Sequence, residues 1–374
     1  MAEYYATVAR GLEAIAAQEL TELGASQVEP GFCGVAFRGD RELLYKVNLW
    51  ARLPFRILWQ LANFRCADAE DLYQEVKAIP WQQYLTPAQT LAVDVSGKSD
   101  SLNHSHFSAL QVKNAIVDQQ QQQFGDRSSV DTQDPDLKIN LHIGKDHCVL
   151  SLDSSGQSLH RRGYRPAMGA APLKESLAAA LIKLSGWQPH QAFYDPLCGS
   201  GTLPLEASLI ALRVAPGLFR PRFGFETWRD FDLELLDRLI LAAEQAQLQQ
   251  LPAPIWGTDH NPQIIQQAIA NSKQSGVDAQ VYLGLLDLAE ATPPAPTGIL
   301  ICNPPYGERL GKNQDLADFY KLLGDVLKQR FKGWTAYVLS GNKELALAIG
   351  LKSSQRIPIY NGTLSCQLMR YELY

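Results

Sequence analysis

The second half of the chain alternates between short apolar segments and helical segments, and this pattern restricts the fold more than any other feature. Strand-like runs occur in QAFYD, IWGTD, AQVYLGLLDL, GILIC and TAYVLSGN, with amphipathic segments such as TLPLEASLIALRVA and NPQIIQQAIANSKQSG between them. Repeated strand–helix units predict an α/β fold with a parallel sheet. The terminal segment IPIYNGTLSCQLMRYEL contains an Asn-Gly pair and predicts an antiparallel hairpin.

The first 155 residues mix strands and helices in a different way. YYATVA, CGVAFRG and LPFRILWQLANF alternate with the helical segments GLEAIAAQELTELG and RELLYKVNLWAR, which predicts a ferredoxin-like α+β unit over 1–65. A second α+β unit is predicted over 66–155, with a long helix from Ser105 to Gly125 and a hairpin turning at 144–146. We interpret the glutamine run at 119–123 as the solvated end of that helix.

Residues 154–172 are rich in Gly, Ser and Pro and break the periodicity. We therefore predict a linker over 156–172, between the unit at 66–155 and a catalytic domain at 173–374. The predicted organisation is four parts in chain order.

Composition excludes several classes of protein. Hydrophobic residues make up 46% of the chain and charged residues 20%, as in globular proteins. No run of eighteen apolar residues and no signal-like N-terminus occurs, so we expect a cytoplasmic protein without a membrane partner. The six cysteines form no CxxC pair, which predicts free thiols.

His104 and His106 lack accompanying Cys or carboxylate ligands, so no metal is expected. A monomer is the simplest expectation.

A glycine-rich loop, DPLCGSGT, follows the strand QAFY and precedes a helix. Glycines allow the backbone to approach a ligand closely, and the N-terminus of the next helix favours a carboxylate or phosphate. An acid beside this turn suits a ligand that also carries an amino group, and S-adenosylmethionine has both groups. Neither the dinucleotide pattern GxGxxG nor the P-loop motif is present. A tight turn without a ligand is the alternative.

Two further acids follow later strands. Asp259 ends IWGTD and suits the two hydroxyls of a ribose, although it could instead cap the helix NPQII. Asp287 ends AQVYLGLLD and suits an adenine amino group, although it could be an ordinary loop acid.

The motif Asn303-Pro304-Pro305-Tyr306 after GILIC is the most specific signal. The two prolines remove two N–H donors and leave carbonyl acceptors available. An amine attached to an aromatic ring is a poor nucleophile because its lone pair is delocalised. Asn303 Oδ1 and the Pro304 carbonyl could hold the two N–H bonds and direct the lone pair toward a methyl donor. Tyr306 could stack on the planar substrate.

DPLCGSGT and NPPYG together resemble the amino-methyltransferases among the class I S-adenosylmethionine enzymes, with their Rossmann-like sheet. LHRRGYRP and APLKESLAAAL resemble the segment before the sheet in THUMP-containing RNA guanine-N2 methyltransferases, particularly the N-terminal half of the bacterial RlmL type that modifies 23S rRNA. The resemblance implies a THUMP domain over 66–155. It also implies S-adenosyl-L-methionine as cofactor. The cofactor-binding residues that it implies are Pro172, Leu173, Asp195, Pro196, Cys198, Gly199, Ser200, Gly201, Thr202, Asp259 and Asp287.

RNA binding must rely on a local patch, because residues 1–155 carry 13 Lys and Arg against 20 Asp and Glu. Residues 156–374 carry 21 against 19. Basic residues interleaved with aromatics suit unpaired RNA, although surface arginines over a packed loop would look the same. The candidate RNA-binding residues are Lys98, Phe107, Lys113, Arg161, Arg162, Arg165, Arg220 and Arg222.

These observations predict methyl transfer to the exocyclic N2 of a guanine in RNA, with 23S rRNA as the first choice of substrate and tRNA as the second. NPPY also occurs in adenine-N6 DNA methyltransferases and in glutamine methyltransferases of release factors. A non-catalytic RNA-binding protein is a further alternative. The THUMP-like half disfavours the first two, and the intact glycine loop and NPPY motif disfavour the third.

Overall fold

The computed structural model describes residues 1–165, 173–305 and 313–374. They form two sheets, one in each half of the chain. The strands of the first sheet are β1 (Ala2–Thr7), β2 (Ser26–Gly31), β3 (Gly34–Gly39), β4 (Arg56–Arg65), β5 (Thr90–Gly97), β6 (Ser129–Val130), β7 (Leu137–Ile143) and β8 (His147–Asp153). The helices that accompany it are α1 (Glu13–Glu22), α2 (Arg41–Trp50), α3 (Ala69–Ala78) and α4 (Ser105–Phe124).

The long strand β4 joins the two N-terminal units into one sheet. The strand order is β2-β3-β1-β4-β8-β7-β5-β6. β4 pairs with β1 along its first half and with β8 along nearly its whole length, both antiparallel. The backbone therefore passes from the ferredoxin-like unit to the second unit inside a continuous hydrogen-bonded ladder.

Two features of this half were not anticipated. Strand β2, SQVEPG, escaped prediction because it is a largely exposed edge strand that contains a proline and shows no apolar alternation. The interpretation of the glutamine run as solvated is wrong for its first two members. Gln119 is buried and bonds the backbone of Lys77, Ile79 and Trp81, and Gln120 bonds both the N–H and the hydroxyl of Ser128.

The second sheet has the predicted α/β arrangement. Its strands are β9 (Ala192–Asp195), β10 (Ile255–Asp259), β11 (Tyr282–Leu285), β12 (Gly298–Cys302), β13 (Thr335–Ser340), β14 (Gln355–Asn361) and β15 (Leu364–Glu372). The helices of this half are α5 (Glu175–Ser185), α6 (Thr202–Ala211), α7 (Leu233–Gln245), α8 (Pro262–Gln274), α9 (Asn313–Arg330) and α10 (Lys343–Ala348).

The strand order β11-β10-β9-β12-β13-β15-β14 confirms a mostly parallel sheet with a terminal antiparallel hairpin. The hairpin turn differs by one residue from the prediction. Asn361 pairs with Leu364, so the two turn residues are Gly362 and Thr363, and Gly362 supplies the positive φ of +63°.

The segment predicted as a linker packs against both halves of the chain through several buried side chains, although Gln157, Arg161 and Gly163 are exposed. Arg162 and Tyr164 are buried, and both approach the carboxylate of Glu206 on α6. Arg52, which follows α2, lies 3.7 Å from the other Glu206 oxygen. This buried network connects the ferredoxin-like unit, the segment 154–165 and the helix that follows the glycine loop.

Candidate active site

The strand register forms a notch at the carboxyl end of the second sheet. β9 ends at Asp195, and β10 pairs Gly257 with Asp195, so Asp259 lies two residues farther along. β12 pairs Leu300 with Tyr194, so Asn303 also lies two residues beyond the level of Asp195. Asp259 and Asn303 therefore stand on either side of Asp195, about 10 Å apart across two strand spacings. Here the strand order reverses, where sheets of this class bind ligands.

The glycine loop shapes one wall of the notch. Gly199 has a φ of +54°, and a Cβ added there would meet no atom of the described residues within 4 Å, so among these residues its backbone borders open space. Gly201 has a φ of +85°, but a Cβ there would lie 3.2 Å from the Ala268 Cβ. Gly199 thus leaves space for a ligand, whereas Gly201 allows α6 to pack closely against α8. Within the described ranges, no side chain caps the N-terminus of α6, which begins at Thr202.

Asp195 lies at the floor of the notch and is buried. Its Oδ1 accepts a hydrogen bond from the Leu197 N–H at 3.0 Å. Burial raises the pKa of the Asp195 carboxyl well above its usual range, and the Asp259 carboxylate raises it further. A buried carboxyl of this kind is stabilised in its ionised form by a cation placed beside it.

Asp259 is not the cap of α8. Asn261 fills that role by accepting hydrogen bonds from the N–H groups of Gln263 and Ile264. Asp259 instead accepts from the Gly199 N–H at 3.1 Å and from the Asn261 N–H at 2.9 Å. It thereby ties the glycine loop to the end of β10.

Asp287 is exposed and caps the short turn that follows it, accepting from the Ala289 N–H at 2.8 Å. This local role agrees with the interpretation of Asp287 as an ordinary loop acid. The proposed contact with an adenine stays a prediction.

Asn303 carries the most unusual polar atom of the site. Its Oδ1 is buried and has no hydrogen-bond partner among the described residues. A buried acceptor without a partner costs roughly 1–3 kcal/mol, which a ligand N–H would recover. Pro304 is buried and Pro305 half-buried, so the backbone after Asn303 offers acceptors and no N–H donor.

The remaining loop residues have structural contacts. Ser200 Oγ accepts from the Arg165 guanidinium at 3.0 Å, and the Cys198 N–H donates to the Thr258 carbonyl at 2.9 Å. Leu173 is buried, and its carbonyl accepts from Arg165. Pro172 and Tyr306 lie outside the described residues.

Three of the predicted RNA-binding arginines line a surface cleft but make contacts within the protein, so their role in RNA binding stays a prediction. The Arg162 guanidinium is buried and donates to the Leu159 and Arg52 carbonyls. Arg165 is buried and pairs with Glu175 at 3.1 Å. Arg220 donates to the carbonyls of Ser155, Gln157, Ser158 and Arg161. Burial lowers the pKa of Arg220 to about 10. Periodicity could not identify Arg162 and Arg165 as buried, because their segment lacks helix or strand structure.

Other candidates remain at the surface. Arg161 and Lys98 are exposed, and Lys113 is half-buried on α4. Phe107, near the start of α4, is an exposed aromatic residue. Arg222 is exposed but pairs with Asp134.

A cleft of about 790 Å³ lies between the 133–138 stretch of the THUMP-like unit, the segment 156–165, and residues near 174–175 and 220–227 of the C-terminal half. Arg161, Lys138 and Lys174 line it. Within the described ranges, no carboxylate pairs with Arg161 or Lys174, whereas Lys138 pairs with Asp94 at 2.8 Å. Sequence reasoning missed Lys138 and Lys174, because single lysines in a strand and before a helix carry no signal.

Comparison with known families decides the class of protein. A model described as the RMKL-like methyltransferase domain matches residues 162–370, more than half of the chain. The chain belongs to the RMKL-like methyltransferase family. Models of the THUMP domain and of the RlmL ferredoxin-like domain match residues 66–153 and 3–58 of this RMKL-like methyltransferase. These matches confirm the family resemblance predicted from the sequence.

Relatives of this RMKL-like methyltransferase include a Synechocystis sp. protein named as an RNA methyltransferase, 56% identical over 99% of this chain and 97% of that protein. Ribosomal RNA large subunit methyltransferases K/L of Syntrophotalea carbinolica and Pseudomonas aeruginosa are 43% and 40% identical over 99% of the chain. The chain spans 53% of the length of each of these K/L proteins.

Solved structures resemble the whole chain. A methyltransferase complexed with SAH has a TM-score of 0.89 and 31% identity, and covers 100% of this chain and 98% of its own. A Listeria monocytogenes protein described as a predicted N6-adenine-specific DNA methylase has the same TM-score and identity, and covers 100% of this chain and 96% of its own.

Neither a membrane span nor a metal centre is found among residues 1–165, 173–305 and 313–374. None of the helices there is both long and apolar enough to cross a bilayer. No group of three or more metal-ligating side chains comes together in the same ranges.

Proposed function

We propose that the protein transfers a methyl group from S-adenosyl-L-methionine to the exocyclic N2 of a guanine in RNA, with 23S rRNA as the first substrate to test. The unpartnered Asn303 Oδ1 carries this proposal, because a buried acceptor at the end of β12 suits the N–H of a substrate amine. The K/L relatives are named as large-subunit rRNA methyltransferases, which supports the choice of RNA.

The residues of the notch fit the cofactor. The open space beside Gly199 accommodates a ligand against the backbone, and the uncapped α6 N-terminus favours a carboxylate. Asp195 would accept from an ammonium, Asp259 from ribose hydroxyls, and Asp287 from an adenine amino group. Leu173, Cys198 and the rest of the loop 195–202 would enclose the ligand. When bound, S-adenosylmethionine supplies an electrophilic methyl group.

Asn303 and the Pro304 carbonyl act on the substrate amine. Each accepts a hydrogen bond from one N–H of the amine. These two hydrogen bonds hold the nitrogen in place and direct its lone pair out of the base plane. A near-attack geometry of about 3–3.5 Å between reacting atoms needs this kind of positioning. The base must leave its stack to reach the notch. Tyr306 is proposed from the sequence as its stacking partner.

Replacing Asp195 with asparagine is expected to stabilise the free protein and weaken cofactor binding. The raised pKa means that the folded state holds this proton above pH about 4, where an unfolded aspartate loses it. Stability therefore falls as pH rises through that window, and the neutral amide removes the penalty. Loss of the charge-assisted contact weakens binding roughly tenfold to a hundredfold.

Melting curves at pH 4 and pH 7, together with calorimetric titration of S-adenosylmethionine, measure both effects. Asp278→Asn, an exposed acid after α8, is the matched control. An unchanged affinity in Asp195→Asn would remove Asp195 from the cofactor site.

We propose that the RNA backbone lies in the cleft beside Arg161 and Lys174. Replacing both with alanine should lower the slope of log affinity against log salt by about 0.7–0.9 per lost phosphate contact. Filter binding of an rRNA transcript at several salt concentrations measures this slope. Lys328→Ala with Arg330→Ala removes the same charge at the exposed end of α9 and should leave the slope unchanged. Equal slopes in both double variants would exclude the cleft.

The substrate is tested in a strain that lacks the gene. Mass spectrometry of its 23S rRNA and tRNA should show one guanine in 23S rRNA without its N2-methyl group. A missing N6-methyladenosine would instead favour the activity named for the Listeria neighbour.

A further inference from the structure

The hairpin turn between β2 and β3 presents an aromatic side chain to solvent. Gly31 pairs with Gly34, so the two turn residues are Phe32 and Cys33. Such turns favour Asn, Asp and Gly, whereas here Cys33 adopts a φ of +55° and Phe32 is 79% exposed. A turn that holds a non-glycine residue at positive φ and exposes a large apolar side chain indicates that this side chain has a binding function at the surface.

Hydrogen bonds hold this turn in place. The Tyr5 hydroxyl donates to the Phe32 carbonyl at 3.0 Å, and the Val8 N–H donates to the Cys33 carbonyl at 3.0 Å. Glu13 accepts from the N–H groups of both Cys33 and Gly11. The backbone that carries the Phe32 ring is therefore fixed, and this reduces the conformational entropy lost when the ring binds a ligand.

Arg10 connects this turn to the second sheet. Its guanidinium carbon lies 5.8 Å from the centre of the Phe32 ring and 4.8 Å from that of Tyr360 on β14. No carboxylate pairs with Arg10 in the part of the chain that the structure describes. A cation beside two rings, with no carboxylate partner in the described ranges, suits a planar base attached to a phosphate.

The cluster of Arg10, Phe32 and Tyr360 lies near the catalytic edge. β14 and β13 are both antiparallel to β15, so β14 runs in the direction of β12, and Tyr360 is near its carboxyl end. β14 is three strand spacings from β12, which is roughly 14 Å. A single strand of RNA could span that distance within a few nucleotides.

We propose that the Arg10–Phe32–Tyr360 cluster is a stacking site for an unpaired nucleotide that flanks the target base. Phe32 contacts the face of the base, and Arg10 contacts the base or its phosphate. This inference rests on the proposed function as an RNA methyltransferase, and it assigns the ferredoxin-like unit a direct contact with the substrate.

Phe32→Ala should raise the KM for a 23S rRNA transcript, and the Kd measured by filter binding, roughly five- to a hundredfold. The kcat and the affinity for S-adenosylmethionine should not change, because Phe32 belongs to the β2–β3 turn and is not part of the notch formed by β9, β10 and β12. The salt slope should also stay constant, because no charge is removed. Phe32→Trp should retain or improve RNA affinity, since it keeps a stacking surface.

Phe124→Ala is the matched control, since this phenylalanine is 51% exposed at the end of α4. It should leave the Kd for RNA unchanged. A wild-type Kd in Phe32→Ala, or an equal loss in both alanine variants, would overturn the stacking site. A wild-type protein that binds the transcript but transfers no methyl group would contradict the proposed function, while the Kd values would still test the cluster.

Discussion

Replacing Asn303 with alanine is expected to lower the rate of methyl transfer about 10²–10³-fold, as loss of one preorganised hydrogen-bonding group does elsewhere. The substitution removes one of the two acceptors proposed to hold the substrate amine and leaves only the Pro304 carbonyl. It also removes a buried oxygen that has no partner among the described residues, so the free protein should not lose stability through this atom. Transfer of a labelled methyl group to RNA under single-turnover conditions measures the rate.

The affinity for S-adenosylmethionine should change little in Asn303→Ala, because Asn303 is proposed to contact the substrate amine rather than the cofactor. Asn342→Ala is a suitable control. Asn342 caps α10 after the neighbouring strand β13, so its loss should reduce stability by about 1 kcal/mol without affecting the rate. Full activity in Asn303→Ala would contradict the mechanism.

Replacing Glu206 with alanine is expected to destabilise the protein by about 3–5 kcal/mol, the cost of leaving a buried charge uncompensated. Glu206 is fully buried and faces Arg52 and Arg162, while the Tyr164 hydroxyl donates to it at 2.8 Å. Because α6 carries both Glu206 and the end of the glycine loop, cofactor affinity should fall together with the melting temperature. Thermal unfolding with and without cofactor measures both.

Glu75→Ala removes an exposed carboxylate from α3 and should leave the melting temperature nearly unchanged. A melting temperature in Glu206→Ala equal to that of the control would show that the network does not hold the two halves of the chain together.

The second sheet was predictable from sequence because three of its apolar strands are followed by loops with recognisable motifs or acids. Asp195, Asp259 and Asn303 follow three apolar strands, and parallel strands bring their carboxyl ends to one edge. The relative positions of these three residues along the strand direction were not predictable. They depend on the register of β9 against its two neighbours. Only the structure reveals this register, through the pairing of Gly257 with Asp195 and of Leu300 with Tyr194.

The internal contacts of the candidate RNA-binding arginines were not predictable, because the sequence does not show whether an arginine is exposed to a phosphate or bonded to a buried carbonyl. Arg162 and Arg165 sit in a segment with glycines and a proline, which is typical of an exposed linker. In the structure they hold that segment against Glu206 and Glu175. Phe32 was missed for the opposite reason, since its exposure follows from a two-residue turn in an edge hairpin that carries no alternating pattern.

Nucleoside analysis of RNA methylated by the purified protein tests the central claim most directly. Labelled S-adenosylmethionine and a 23S rRNA transcript should yield N2-methylguanosine, and Asn303→Ala should reduce its formation at least a hundredfold. N6-methyladenosine as the product would contradict the assignment of guanine. Absence of any methylated nucleoside, with the cofactor bound and the RNA bound, would contradict the proposed function.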